Sequence, residues 1–311
     1  MCGIAGVMLK ESASSTTHVG EVLVNMLAAL ERRGPDSMGV AIHDSSSDDL
    51  LVTVVGDERE RHIVHNVIEK MGLRGQWLGS QVKSTAFFES NGGWDHDTGH
   101  TIQEFFRILS NHGVDAHRVW VSSTIRLMKV LGGAHVLNSS FHLAERNGDM
   151  AIGHTRLATE SEIDLVHSQP LTTGNPQVAV VHNGHITNYW RWRRLLERRG
   201  HPFVSDNDSE VIAIYVSDRL RSGDSLQEAL ERVLVDLDGS YSVVALTDDA
   251  IGCVRDGLGL KPLMIAESDD VVLLASEAQA IRQLRFSHLS IHEAWPGEVR
   301  TWMKQPLTLW S

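Results

Sequence analysis

The second residue of the chain is a cysteine. A small residue behind an initiator methionine lets aminopeptidase expose it, so the mature chain is expected to begin at Cys2. An N-terminal cysteine carries a thiol and an α-amine on one residue. The amine has an ordinary pKa of about 7.7–8.0 and can take the thiol proton near neutrality. Nucleophile and base then come from a single residue. The dipeptide by itself reads as a chance small residue near a chain start. Other residues along the chain have matching chemistry. Arg156 could grip a carboxylate with a two-pronged hydrogen bond that lysine cannot reproduce, or sit in a surface ion pair worth little. Asp208 could receive an ammonium group, or cap the helix that the apolar rhythm predicts from Ser209. Asn183-Gly184 could offer a side-chain amide and a backbone N–H to a developing oxyanion. Read alone, Asn-Gly after the apolar run Val178–Val181 is a hairpin turn.

These residues belong to short motifs: Cys2-Gly3-Ile4-Ala5-Gly6, Arg33-Gly34-Pro35-Asp36-Ser37-Met38-Gly39, Gly153-His154-Thr155-Arg156-Leu157-Ala158-Thr159, His182-Asn183-Gly184 and Asp206-Asn207-Asp208-Ser209-Glu210. In this order they resemble the class II glutamine amidotransferases, a family of N-terminal nucleophile hydrolases. Asp238-Gly239-Ser240-Tyr241, Arg255-Asp256-Gly257-Leu258-Gly259, Ala275-Ser276-Glu277 and Pro296-Gly297-Glu298 are also similar to family elements. Any one motif is weak, but their joint order is specific, and it covers 1–43 and roughly 149–300. The resemblance implies an α+β fold, a four-layer αββα sandwich of two antiparallel sheets between helical layers. It implies that Cys2 hydrolyses L-glutamine to L-glutamate and ammonia through a thioester. Asn183 and Gly184 would form the oxyanion hole. Arg156, Thr159, Asp208 and Arg33 would surround the substrate, with Arg33 also the cation that favours thiolate. His154 matches a motif position and is expected to be structural. Leu157 stands where several relatives carry an aromatic residue, which puts transferred detail of gating toward an acceptor in doubt and leaves hydrolysis intact.

The elements needed to position such a site are legible in outline. Gly3–Met8 reads as a strand, and Val19–Arg33 as a helix stopped by Gly34-Pro35. Strands are expected at Gly39–His43, Leu51–Val55, Met150–Ile152 and Val178–Val181, and helices at Asn188–Arg199, Ser209–Arg221 and Leu226–Leu234. Four short apolar runs between Tyr241 and Ala275 read as strands. Short turns between neighbouring strands favour antiparallel pairing. Arg33 and Arg156 are far apart for a compact glutaminase. Residues 57–148 are therefore expected to be a largely helical insertion within one amidotransferase domain spanning 2–311, with helices near 63–71, 102–109 and 119–131. Its aromatic residues would either pack a core of their own or dock another protein.

Composition narrows the function classes. The net charge is −12, which argues against nucleic acid and anionic membrane as partners. The longest apolar run, Val271–Ala275, is far too short to span a bilayer. Two cysteines and no signal-like segment point to a reducing, cytoplasmic setting. His62-x-x-His65 and Asp95-His96-x-x-x-His100 have metal-like spacing without a supporting cluster, so no metal is expected, and no cofactor. The five arginines between Arg191 and Arg199 form a solvated face or a patch for an acidic protein. Because the resemblance runs almost to Ser311, ammonia is expected to pass to a separate synthase subunit, as in glutamate-synthase-like and N-methylglutamate synthase systems. The alternatives are an N-terminal-cysteine hydrolase of another amide, or a non-catalytic interaction subunit.

Overall fold

The structure, a computed structural model, describes residues 2–10, 17–44, 50–55, 58–79, 85–90, 99–114, 119–157, 164–173, 176–203, 205–286 and 288–304, with the side chains of 99–103 excluded. The strands in chain order begin with β1 (Gly3–Leu9), β2 (Ser37–His43), β3 (Leu51–Val54), β4 (Gly75–Leu78), β5 (Ala86–Ser90) and β6 (Val119–Ser122). They continue with β7 (Ile125–Leu131), β8 (Met150–Arg156), β9 (Leu171–Thr173), β10 (Val178–Ile186) and β11 (Gly239–Leu246). The last are β12 (Ala250–Arg255), β13 (Met264–Glu267), β14 (Val271–Ala275), β15 (Ile291–Glu293) and β16 (Val299–Met303). The helices are α1 (Val19–Leu30), α2 (Glu58–Lys70), α3 (Gly99–Asn111), α4 (Ala134–Phe141), α5 (Tyr189–Arg198), α6 (Asp208–Arg221), α7 (Leu226–Asp236) and α8 (Ala278–Arg282).

Two sheets carry the fold, in the orders β15-β13-β14-β1-β8-β2-β7 and β16-β12-β11-β10-β9, with antiparallel pairing throughout. Alternation along each strand sends side chains to two different cores. In the first sheet Ile4, Met8, Ala41, Leu127 and Ile152 face Val181, Val244, Ile251 and Cys253 of the second. The intervening residues Ala5, Val7, Val40 and Leu273 pack under α1, α4 and α8. Val178, Val180, Val243 and Ala245 turn the other way, under α6 and α7. This is the expected αββα sandwich. Burial on both faces explains why strands such as β14 are apolar without alternation. A side-chain cap sets the start of α7: Ser225 and Glu228 form a reciprocal box there, with Ser225 N donating to Glu228 Oε2 at 2.8 Å.

The region expected to be a largely helical insertion is different. It holds a third sheet, of order β4-β5-β3-β6, with α2 and α3 against it through Val64, Val67, Ile68, Phe105 and Leu109. The expected third helix, 119–131, is instead the two strands β6 and β7. Both faces of β7 are buried, so its apolar residues fall at helical as well as strand spacing, and the β-branched Val119, Val121 and Ile125 favour the extended form. The boundaries move too. β3 lies ahead of residue 57 yet belongs to the small sheet, whereas β7 and α4 belong to the sandwich. The accessory unit is therefore an α/β module spanning roughly 50–122. Phe87, Phe88 and Phe105 are buried in cores, while Trp94 lies outside the described residues. Arg126, buried at the junction, bridges Glu89 at 2.7 Å and Asp44 at 3.0 Å, and Arg146 adds a second contact to Glu89 at 2.8 Å.

Candidate active site

The ends of β1, β8 and β10 meet at Cys2. Strand pairing places Gly3 opposite Thr155, and the Gly3 N–H donates to Thr155 Oγ1 at 3.0 Å. One residue on, the Ile4 N–H donates to Ser276 Oγ at 3.1 Å. The start of β1 is thus held by a side chain of β8 on one side and, on the other, by that of the residue just after β14. The carbonyl of Cys2 accepts two further hydrogen bonds, from Arg33 Nε at 2.9 Å and Asn183 Nδ2 at 3.0 Å. The Leu157 N–H faces the Cys2 Sγ at 3.4 Å. Backbone and thiol are both located before any substrate arrives.

Arg33 reaches this position from a 3₁₀ turn, Glu31–Arg33, that ends α1. Gly34 closes the turn so tightly on Arg156 that a Cβ there would lie 2.6 Å from its backbone. Arg33 Nη1 also pairs with Glu277 Oε1 at 2.6 Å. Arg156 ends β8 opposite Ser37, is 7 % exposed, and directly precedes the residue that faces the thiol. Asn183 is buried in β10 opposite Ser242. Gly184 has φ +136°, and a side chain there would run into the Ser240 carbonyl. Asn183-Gly184 is therefore no hairpin turn, since β10 runs through it to Ile186.

At the start of α6 the cap is Asn207, whose Oδ1 accepts from Ser209 N at 3.0 Å. Asp208 is spared that task. Its Oδ2 accepts the Ile186 N–H at 2.9 Å, and His185 Nδ1 lies 3.5 Å away. The carboxylate is thereby tied to the same end of β10 as Asn183. Cys2, Arg33 and Asn183 are joined by direct hydrogen bonds and Arg156 adjoins them through Leu157, while Asp208 is tied to β10 at Ile186, three residues beyond Asn183. Thr159 lies outside the described residues.

His154 is buried between the sheets, and burial, with His182 and Arg156 beside it, pushes it down to about 3, so it is neutral at pH 7. His65 accepts a hydrogen bond from Trp77 Nε1 at 2.9 Å, and His100 with Asp95 and His96 falls outside the described side chains. Among the described residues no group of three His, Cys, Asp or Glu is arranged to hold a metal ion, and no helix is long and apolar enough to cross a membrane. Sequence reasoning assigned no role to Thr155, Ser276 or Glu277, which orient Cys2 and Arg33. The motif Ala275-Ser276-Glu277 was the available signal. Thr155 was hidden inside the arginine motif.

Comparison with known proteins identifies the family and the fold. The glutamine amidotransferase domain family matches residues 154–283. A putative glutamine amidotransferase of Methanothermobacter thermautotrophicus is 36 % identical, over 97 % of this chain and 99 % of its own. The glutamine amidotransferase-like protein GlxB of Rhizobium meliloti is 30 % identical over 98 % of this chain and 99 % of its own. The fold also matches the glutamine phosphoribosylpyrophosphate amidotransferase of B. subtilis, with a TM-score of 0.58 at 21 % identity, over 96 % of this chain and 47 % of that one. The strand-end cluster around Cys2, the αββα sandwich and the full-length relatives together make this chain a member of the class II glutamine amidotransferases.

Proposed function

We propose that this chain is the glutaminase component of an ammonia-transferring assembly. It hydrolyses L-glutamine to L-glutamate and ammonia with Cys2 as N-terminal nucleophile, and the ammonia passes to a separate synthase subunit of the glutamate-synthase-like kind. The observation that carries this reading is the clamp on the Cys2 carbonyl by Arg33 and Asn183, with the Leu157 N–H set against Sγ. The clamp holds Cys2 by its C-terminal side. Once Met1 is removed, the thiol and the α-amine are the groups left for chemistry.

In this scheme the α-amine takes the thiol proton and Sγ attacks the amide carbon of glutamine. Asn183 Nδ2 and the Gly184 N–H stabilise the oxyanion. The C–N bond breaks, the α-amine returns its proton to the leaving nitrogen, and ammonia departs from a glutamyl thioester. A water gives its proton to the α-amine and attacks the thioester. The C–S bond breaks, and glutamate leaves as the thiol is restored. Arg156 receives the α-carboxylate and Asp208 the α-ammonium, with Arg33 and Thr159 completing the binding set. Residues 2–311 act as one amidotransferase domain in which the accessory α/β module plays no chemical part. No step calls for a metal or cofactor.

Intact-mass measurement with a glutamine-analogue electrophile, diazo-oxo-norleucine, tests the reading. The expected mass lacks Met1 and gains one label, mapped to Cys2, and Cys2→Ala abolishes turnover. A chain that keeps Met1 and still hydrolyses glutamine refutes the mechanism. So does labelling at Cys253, a buried residue whose thiol is pushed up to about 12 by burial.

A further inference from the structure

Lys129 lies in the middle of β7, opposite Gly39 of β2, which is in turn opposite His154 of β8. It is fully buried, on the strand face that also carries Leu127 and looks between the two sheets. The next strand offers no side chain at Gly39, and a Cβ there would collide with the carbonyl of Gln169. Residues 168–170 therefore cross the inner face of the sheet through a trough floored by Gly39 and flanked by Lys129 and His154. Lys129 Nζ donates to the Ser168 carbonyl at 2.6 Å and lies 5.0 Å from the centroid of the Trp120 ring. Ser168 Oγ, donating to Asp164 O at 2.6 Å, also lies 2.8 Å from Ser37 Oγ. Gln169 then spans to the second sheet: its Oε1 accepts from His182 N at 2.6 Å, and its Nε2 donates to His182 O at 3.1 Å and Ser209 Oγ at 3.0 Å.

A carbonyl and an indole face are small compensation for taking an ammonium out of water. Ordinary packing would put a methionine or leucine there. We propose that Lys129 is a positioning residue for the amino-acid end of the substrate: by holding Ser168 it fixes segment 164–169 beside Arg156, and its charge is coupled to the charge that Arg156 receives. The inference rests on the proposed role of Arg156 toward an α-carboxylate.

The groups acting on Lys129 come from each element packed round it: Arg156 and His154 from β8, Asp164 from the segment itself, and Glu210 from α6. Burial pushes Lys129 down to about 7 against the pull of Glu210 and Asp164, and Arg156 pushes it the same way. An anionic carboxylate docked on Arg156 offsets that cation. Binding then draws a proton on to Lys129, and by linkage the ligand binds more tightly as pH falls through neutrality.

The test follows the labelling of Cys2 by diazo-oxo-norleucine, which carries the same α-carboxylate, at pH 6.0–8.5 in the wild type, Lys129→Met and Lys129→Arg. In Lys129→Met the half-saturating concentration is expected to rise about tenfold at pH 6.5, with the maximal labelling rate within threefold of wild type and the pH dependence of saturation flattened. Lys129→Arg, cationic at every pH, is expected to keep near-wild-type saturation with the same flattening. Wild-type saturation and pH dependence in Lys129→Met overturn the proposal, as does a loss confined to the maximal rate. Calorimetric titration of the wild type with L-glutamate, in buffers of different ionisation enthalpy, settles the matter even if both variants misfold. Proton uptake on binding is expected, and binding without it overturns the proposal. A wild type that neither labels at Cys2 nor binds the amino acid refutes the glutaminase reading itself.

Discussion

Replacing Asn183 by alanine separates holding the nucleophile from stabilising the oxyanion. Asn183 Nδ2 donates to the Cys2 carbonyl at 3.0 Å, but that carbonyl keeps a second donor, Arg33 Nε, at 2.9 Å. Cys2 should therefore stay in place. The amide nitrogen has two hydrogens, so one can hold Cys2 while the other meets the developing oxyanion. The loss of one buried hydrogen bond costs about 1 kcal/mol of stability. The loss of an oxyanion donor costs about 2.7–4 kcal/mol in the transition state, or roughly 10²–10³ in kcat. Glutamate release at saturating glutamine, alongside thermal unfolding, reads both. The expected result is a modest fall in Tm, KM within about threefold of wild type, and the large loss in kcat. Asn183→Asp should lose as much, because an acceptor then faces the acceptor carbonyl of Cys2. A kcat within fivefold of wild type in a folded Asn183→Ala protein would refute the oxyanion assignment.

Arg156→Lys should raise KM for glutamine by about tenfold or more, because a point charge replaces the two-pronged grip; steady-state kinetics check it, and an unchanged KM removes Arg156 from the carboxylate site. Gly184→Ala should destabilise the protein by at least about 2 kcal/mol, since the side chain meets the Ser240 carbonyl at φ +136°; urea unfolding gives the number, and wild-type stability would show that β10 yields there. Lys129 also predicts a pH dependence of stability. Its folded value is near 7 and its ordinary one 10.5, so the unfolded chain binds the extra proton between them and stability rises with pH. From pH 7.0 to 8.5, where any titration of Cys253 is common to both proteins and cancels, wild type should gain about 1–2 kcal/mol relative to Lys129→Met in urea titrations. An equal pH response in the two proteins would mean that Lys129 is not desolvated.

Local signals determined much of this protein. The helix stopped by Gly34-Pro35, the apolar runs of β1, β10, β11 and β14, and the capped starts of α6 and α7 are set by short-range propensity and periodicity. The candidate site residues Cys2, Arg33, Arg156, Asn183 and Asp208 were legible for a different reason: each motif alone has an ordinary local reading, and only their joint order resembles the amidotransferase pattern. Tertiary structure decided the rest. Residues 119–131 became strands because two cores on opposite faces accept their side chains, and periodicity cannot tell that from a helix. Whether Asp208 capped its helix depended on its neighbour, since Asn207 took the cap and freed the carboxylate to bind the end of β10. Lys129 falls in the stretch 119–131 whose spacing predicts a helix, and nothing local marks it as buried. Only the crossing of Ser168-Gln169 over Gly39 makes it a buried ammonium, because a side chain's solvent is chosen by chain segments distant in sequence.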